Sequence, residues 1–180
     1  FFTNKTRMLT LSRGLFAIAV CTFSAMVATA EDVYQAPESF IAETFDGETP
    51  TPQLIWLTKE LKEDVADILG HPYSSFRIRY WKHENRTAWI LEEIGKLKPI
   101  TTGIVIENAK ISRLKVLVYR ESHGWEVKYP FFSNQFKGIA IDDKKRLDQN
   151  IDGISGATLS VEALERLALL ALYLDSNLPD

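Results

Sequence analysis

Residues 100–122 read ITTGIVIENAKISRLKVLVYRES, two apolar runs separated by a short polar break. β-Branched residues crowd both runs, and such side chains suit a pleated, half-buried surface. Arms at 101–107 and 110–119 with a turn near Asn108 and Ala109 make a β-hairpin. On the second arm a period of two puts Leu114, Val116 and Val118 on one face, with Lys115, Leu117 and Tyr119 on the other. The second set is still largely apolar, so its face is expected to be covered in part.

Upstream, FRIRYW at 76–81 alternates Phe76, Ile78 and Tyr80 with Arg77, Arg79 and Trp81. KHENR is a turn, and TAWILEEIG at 87–95 returns as a partner strand. Two hairpins imply an antiparallel sheet of four strands or more, in an order that periodicity does not specify. Before them, Thr58 precedes KELKEDVADILG, where Leu61, Val65, Ile68 and Leu69 recur at helical spacing and Gly70 and Pro72 stop the run. After them, YPFFSNQFKG has phenylalanines placed for a short helix. A polar connection, IDDKKRLDQNIDG, leads to SVEALERLALLALYLDS, whose apolar stripe runs through Val161, Leu164, Leu167, Ala168 and Ala171. Sheet strands followed by a segregated helix predict one α+β domain over 57–180, with helices packed at one face of the sheet. Residues 31–56, rich in proline and acids, read as an arm or linker that packs Phe40, Ile41 and Phe45 on the body as an extended arm or a short helix.

The first thirty residues differ in kind. They hold Lys5, Arg7 and Arg13, no acid, and an apolar run from Gly14 to Ala28 ending in a small-residue pattern. That is the layout of a secretory signal peptide cleaved after Ala30, which predicts a periplasmic protein. The apolar run is shorter than the roughly 20 residues that span a bilayer. Cleavage removes three cations and deepens the formal charge of −3 to about −6. An acidic chain is a poor ligand for nucleic acid. Cleavage also removes Cys21, the single cysteine, which excludes a disulfide, a thiolate nucleophile, an iron–sulfur cluster and a CxxCH haem attachment. Any redox chemistry would come from another cofactor.

The last helix is entered through DGISGATLS, residues 152–160. One reading is a glycine-rich turn, with Gly153 and Gly156 bending the chain and Ser155, Thr158 or Ser160 capping the helix. The other is an anion site, since a helix start offers free N–H groups and the positive end of its dipole. No lysine follows as in a Walker loop, and no GxGxxG is present.

DGISGATLS resembles the flavinylation motif of FMN-binding domains in exported and membrane-bound bacterial redox proteins. Those include subunits of the sodium-pumping quinone reductases and Rnf complexes. The motif is an Asp, two residues, Ser or Thr, then Gly, Ala and Thr. Asp152, Ser155, Gly156 and Ala157 match, and Thr158 takes the place of the threonine that carries FMN as a phosphoester. The resemblance extends over residues 99–175: the hairpin above ends in Glu121 and Ser122, like the Glu-Thr pair of the family, and FFSNQFKG follows in order. Where the family often has Glu-Thr-Pro-Gly, this chain has Glu-Ser-His-Gly, with His123 in place of proline and Gly124 kept.

The resemblance implies covalent FMN on Thr158, added by a flavin transferase. Mg²⁺ takes part only transiently, and Asp152 either shapes the turn or holds that ion. Glu121, Ser122, His123 and Gly124 would lie near the ribityl chain or ring, and Trp125 is the candidate ring-stacking side chain. The implied function is an electron-transfer flavoprotein rather than a stand-alone enzyme, working with a membrane reductase or a cytochrome. The alternative is a non-covalent or non-redox ligand-binding or adaptor module. His71 and His83 have no ligand spacing to suggest a metal site, and no GxSxG elbow points to a hydrolase.

Overall fold

A computed structural model describes residues 31–179. The leader read at 1–30 lies outside the described residues. The elements run β1 (Asp32–Val33), α1 (Pro37–Thr44), β2 (Gln53–Trp56), α2 (Lys59–Leu69), β3 (Arg77–His83), β4 (Arg86–Ile94), β5 (Pro99–Glu107) and β6 (Lys110–Tyr119). A 3-10 turn at Trp125–Lys128, α3 (Pro130–Ser133), a second 3-10 turn at Asn134–Phe136 and α4 (Thr158–Ser176) follow. All strand pairs are antiparallel, in the order β1-β6-β5-β4-β3-β2. The fold is α+β, as the periodicity predicts, with six strands where four or more were expected. The two extra strands both come from 31–56. That stretch supplies β1 and β2 at opposite edges of the sheet and α1 across its outer face. Its strands are two and four residues long, too short for a period of two to stand out.

The main core lies between the inner face of the sheet and α2, α4 and the Phe132–Phe136 segment. Trp89, fully buried, stacks on Tyr80 at 5.2 Å, and its Nε1–H donates to Thr87 Oγ1 at 3.0 Å. Thr87 in turn donates to Asp175 near the end of α4. A second core on the outer face joins Phe40 and Ile41 of α1 to Ala88, Val105, Leu117 and Val118. Phe40 sits so close to β5 that a Cβ on Gly103 would lie 2.6 Å from its ring, so glycine is what admits α1 there. α4 is more enclosed than one stripe requires: Leu170, Leu172 and Leu174 are buried along with Leu164 and Leu167.

The expected alternation on β6 fails at two points, one at Ser112, between the Val105–Arg113 and Ile106–Ile111 pairs, and one at Leu117. Thr101 pairs with Val118 but Thr102 pairs with Val116, leaving Leu117 as an extra residue. Such a bulge turns the following side chains relative to the sheet. Leu117 and Val118 both join the outer core, while Tyr119, expected outside, enters the inner one.

The β5–β6 turn has Asn108 at φ 54° and Ala109 at φ 61°. Two positive φ values match the twist of a hairpin, but they suit Asn-Gly far better than Asn-Ala. Ala109→Gly should therefore raise stability by about 1 kcal/mol. The check is a shifted urea midpoint at unchanged slope.

Candidate functional site

The chain enters α4 through a β-turn in which the Ala157 N–H donates to the Ile154 carbonyl at 3.0 Å. Gly156 takes φ 83°, a left-handed conformation that side-chain-bearing residues resist, whereas Gly153 is not left-handed. Upstream, the side-chain amide of Gln135 fastens the Asp152 backbone, accepting from its N–H at 2.7 Å and donating to its carbonyl at 3.3 Å.

Ala157 is the N-cap of α4, and no side chain caps the helix. The three hydroxyls read as possible caps are placed otherwise. Ser155 is exposed in the turn, Thr158 is the exposed first residue of the helix, and Ser160 is buried and bonded elsewhere. The first-turn N–H groups therefore keep their donor capacity, and the dipole of a 19-residue helix ends among them.

Under that first turn lies a polar joint. The Ser160 and Tyr119 hydroxyls are 2.9 Å apart, and the Tyr119 O–H donates to the His123 carbonyl at 2.6 Å. Burial pushes the Tyr119 hydroxyl above its ordinary range, which keeps it a protonated donor. Gly124 closes the joint at φ 85°. A Cβ there would meet Ser160 Oγ at 2.8 Å and Tyr119 Oη at 3.0 Å.

Glu121 forms the opposite wall. Its Oε1 accepts from the backbone N–H groups of Lys96, Leu97 and Lys98, in the loop between β4 and β5. Burial alone would raise the carboxyl, but these three donors outweigh it and hold Glu121 below its ordinary value of 4.5. Read as a strand-end group near a ligand, Glu121 is placed as the clasp of that loop.

Between the clasp and the start of α4 opens a cavity of about 530 Å³. Glu121, Ser122, His123, Gly156, Ala157 and Thr158 line it, so six of the ten residues singled out from sequence converge there. The Ser122 hydroxyl and His123 Nδ1 are hydrogen-bonded at 2.9 Å on its rim. Gly124 and Ser155 flank the cavity in sequence without lining it, and Asp152 is exposed beyond them. Trp125 also lies outside the lining. Its ring meets Tyr129 edge-on at 5.7 Å, and the Lys128 ammonium stands 5.0 Å from it.

Lys96, Leu97, Leu159 and Ser160 complete the lining; of these the sequence pointed only to Ser160, and as a helix cap. Leu97 is 78% exposed and Leu159 45%, so both leave apolar surface on the cavity wall. An apolar residue isolated between two lysines was the available signal at Leu97. Of the histidines outside the site, His71 pairs with the buried carboxylate of Glu93 at 3.0 Å, and His83 is exposed at the end of β3. Among the described residues no group of three or more His, Cys, Asp or Glu gathers as it would around a metal ion.

Residues 95–172 match the FMN-binding domain family. The match begins at the loop clasped by Glu121 and runs into α4, so it contains every residue lining the cavity. No curated protein and no solved structure matches the chain. An FMN-binding domain is thus present at 95–172, while β1 through β4 precede it.

Glu121→Gln should lower stability at pH 7 by about 1.5–3 kcal/mol, because a charged acceptor of three N–H groups becomes a neutral one. In the unaltered protein this contribution is complete above pH 4.5 and fades as pH falls through the lower folded value of the carboxyl. Urea unfolding from about pH 7 to pH 3 should show the two proteins converging in acid.

Proposed function

We propose, from the FMN-binding domain at residues 95–172, that this chain is a periplasmic electron-transfer flavoprotein whose FMN is joined to Thr158 through a phosphoester. The observation that carries the proposal is the uncapped start of α4, open to a cavity and bearing an exposed threonine hydroxyl at its first position. A phosphate seated there accepts from the free N–H groups and sits at the positive pole of the helix.

The residues fit the rest of the cofactor. Lys96 supplies a cation to the lining, and Ser122 and His123 offer polar groups suited to a ribityl chain. Leu97 and Leu159 give apolar surface for a planar ring, in a cavity of ligand size. The Ser160–Tyr119 bond fixes the first turn of α4, and so fixes the direction of its N–H groups. Bound flavin supplies electron transfer in steps of one or two, and the protein supplies position and surroundings.

In forming the link, the Thr158 oxygen would bond to the flavin-side phosphorus of a flavin dinucleotide, the phosphoanhydride bond would break and the nucleoside monophosphate would leave with the hydroxyl proton, so the protein would gain FMN less one water. A flavin transferase performs this step and holds Mg²⁺ transiently, with the exposed Asp152 side chain free to contribute a ligand. The leader at 1–30 supports export, where a covalent bond prevents loss of a soluble cofactor. Partners are then a membrane reductase as donor and a cytochrome or similar protein as acceptor. This makes the chain a carrier and not a stand-alone enzyme.

Co-expression with a flavin transferase tests the proposal. The intact mass should exceed that of the chain by one FMN less one water, and the yellow colour should survive acid precipitation. Thr158→Ala should fold but lose in-gel flavin fluorescence completely. Fluorescence surviving in that variant would overturn the link, and flavin released by acid would leave a non-covalent binding module.

A further inference from the structure

The outer face of β2 and β3 carries a second cavity, of about 500 Å³, away from the FMN-binding domain and under the edge of α1. Arg77, Arg79 and Trp81 alternate along β3 and so point to one face, and all three line it. Leu54 of β2, directly opposite Arg79, and Ile41 of α1 supply apolar walls.

The two arginines stand apart from the others. Among the described residues five of the seven arginines, at 86, 113, 120, 146 and 166, form ion pairs, and the two that do not are Arg77 and Arg79. Arg77 instead lies 5.6 Å from the ring of Trp56, itself 62% exposed. Glu38 is the only carboxylate in the lining and pairs with neither arginine, so the cavity keeps a net positive charge. Unpaired guanidinium groups beside a tryptophan and aliphatic walls, in an acidic chain, form a receptor for a molecule with a carboxylate head and an apolar body.

We propose that this cavity binds amphipathic carboxylates. The carboxylate is received by Arg77 and Arg79, and the apolar body lies against Trp81, Leu54 and Ile41. The site is independent of the flavin reading and stands or falls separately.

Calorimetric titration of the mature, flavin-loaded protein with 2-naphthoate and with decanoate tests it, one probe for an aryl and one for an alkyl source. At least one should bind saturably, one per chain. Naphthalene-2-carboxamide, the same shape without charge, should bind at least about tenfold more weakly than the naphthoate if the aryl probe is the one received. Arg77→Gln and Arg79→Gln should each weaken the successful probe about tenfold, and the double variant should abolish its binding. Both side chains are exposed, so the variants should retain native unfolding midpoints and flavin spectra. Failure of both acids to bind below the millimolar range would overturn the proposal. So would equal binding of the amide and the naphthoate, or binding that survives in the double variant.

Discussion

The hydroxyl of Tyr119 touches three segments that are distant in sequence. It sits at the end of β6, meets Ser160 in the first turn of α4, and donates to the carbonyl of His123 in the loop between them. Every part of the cavity at the start of α4 is referred to that contact. The loop 121–124 is drawn against the helix, so Glu121 stands where it can clasp 96–98, and the helix start is held facing the gap. The contact depends on the bulge at Leu117. With regular alternation Tyr119 would face the outer core, and the first turn of α4 would rest on nothing polar. Glycine at 124 is the steric condition for the same contact, since any β-carbon would push between the two hydroxyls.

Leaving α4 without a side-chain cap gives up a stabilising bond worth about 1 kcal/mol. Ser, Thr and Asp are all present within six residues of the helix start, so the residue types for a cap are at hand. Their side chains are directed elsewhere, and alanine holds the capping position. A local rule broken with the means of obeying it so near is the kind of inconsistency found at binding sites. With no side chain at the capping position, the capping reading of this turn does not hold, and its first N–H groups stay open.

The four central strands, α2 and α4 were legible because each is long enough for its period to show and has clear stops, such as Thr58 and Gly70 around α2. β1 and β2 were not legible. They are held by backbone pairing to β6 and β3, and pairing between distant segments leaves no trace in local periodicity. The same limit concealed the bulge, since only the register of β5 against β6 reveals it. In the site, the motif at 152–158 and the Glu-Ser-His-Gly turn were readable as residues, and their convergence on one cavity needed the fold. Lys96 and Leu97 enter only through the Glu121 carboxylate, a contact that spans 25 positions for Lys96.

The last helix is pinned at both ends, by Ser160 on Tyr119 at its start and by Asp175 on Thr87 at its finish. Nineteen residues at 1.5 Å of rise make a rod about 28 Å long. Slippage by a single residue would rupture both fastenings together, so the rod is either seated or not, with no half-docked register between. The cavity needs both the helix start and the 121–124 loop, so it has no existence until the rod is seated. It comes into being in one cooperative step, once α4 closes over the sheet.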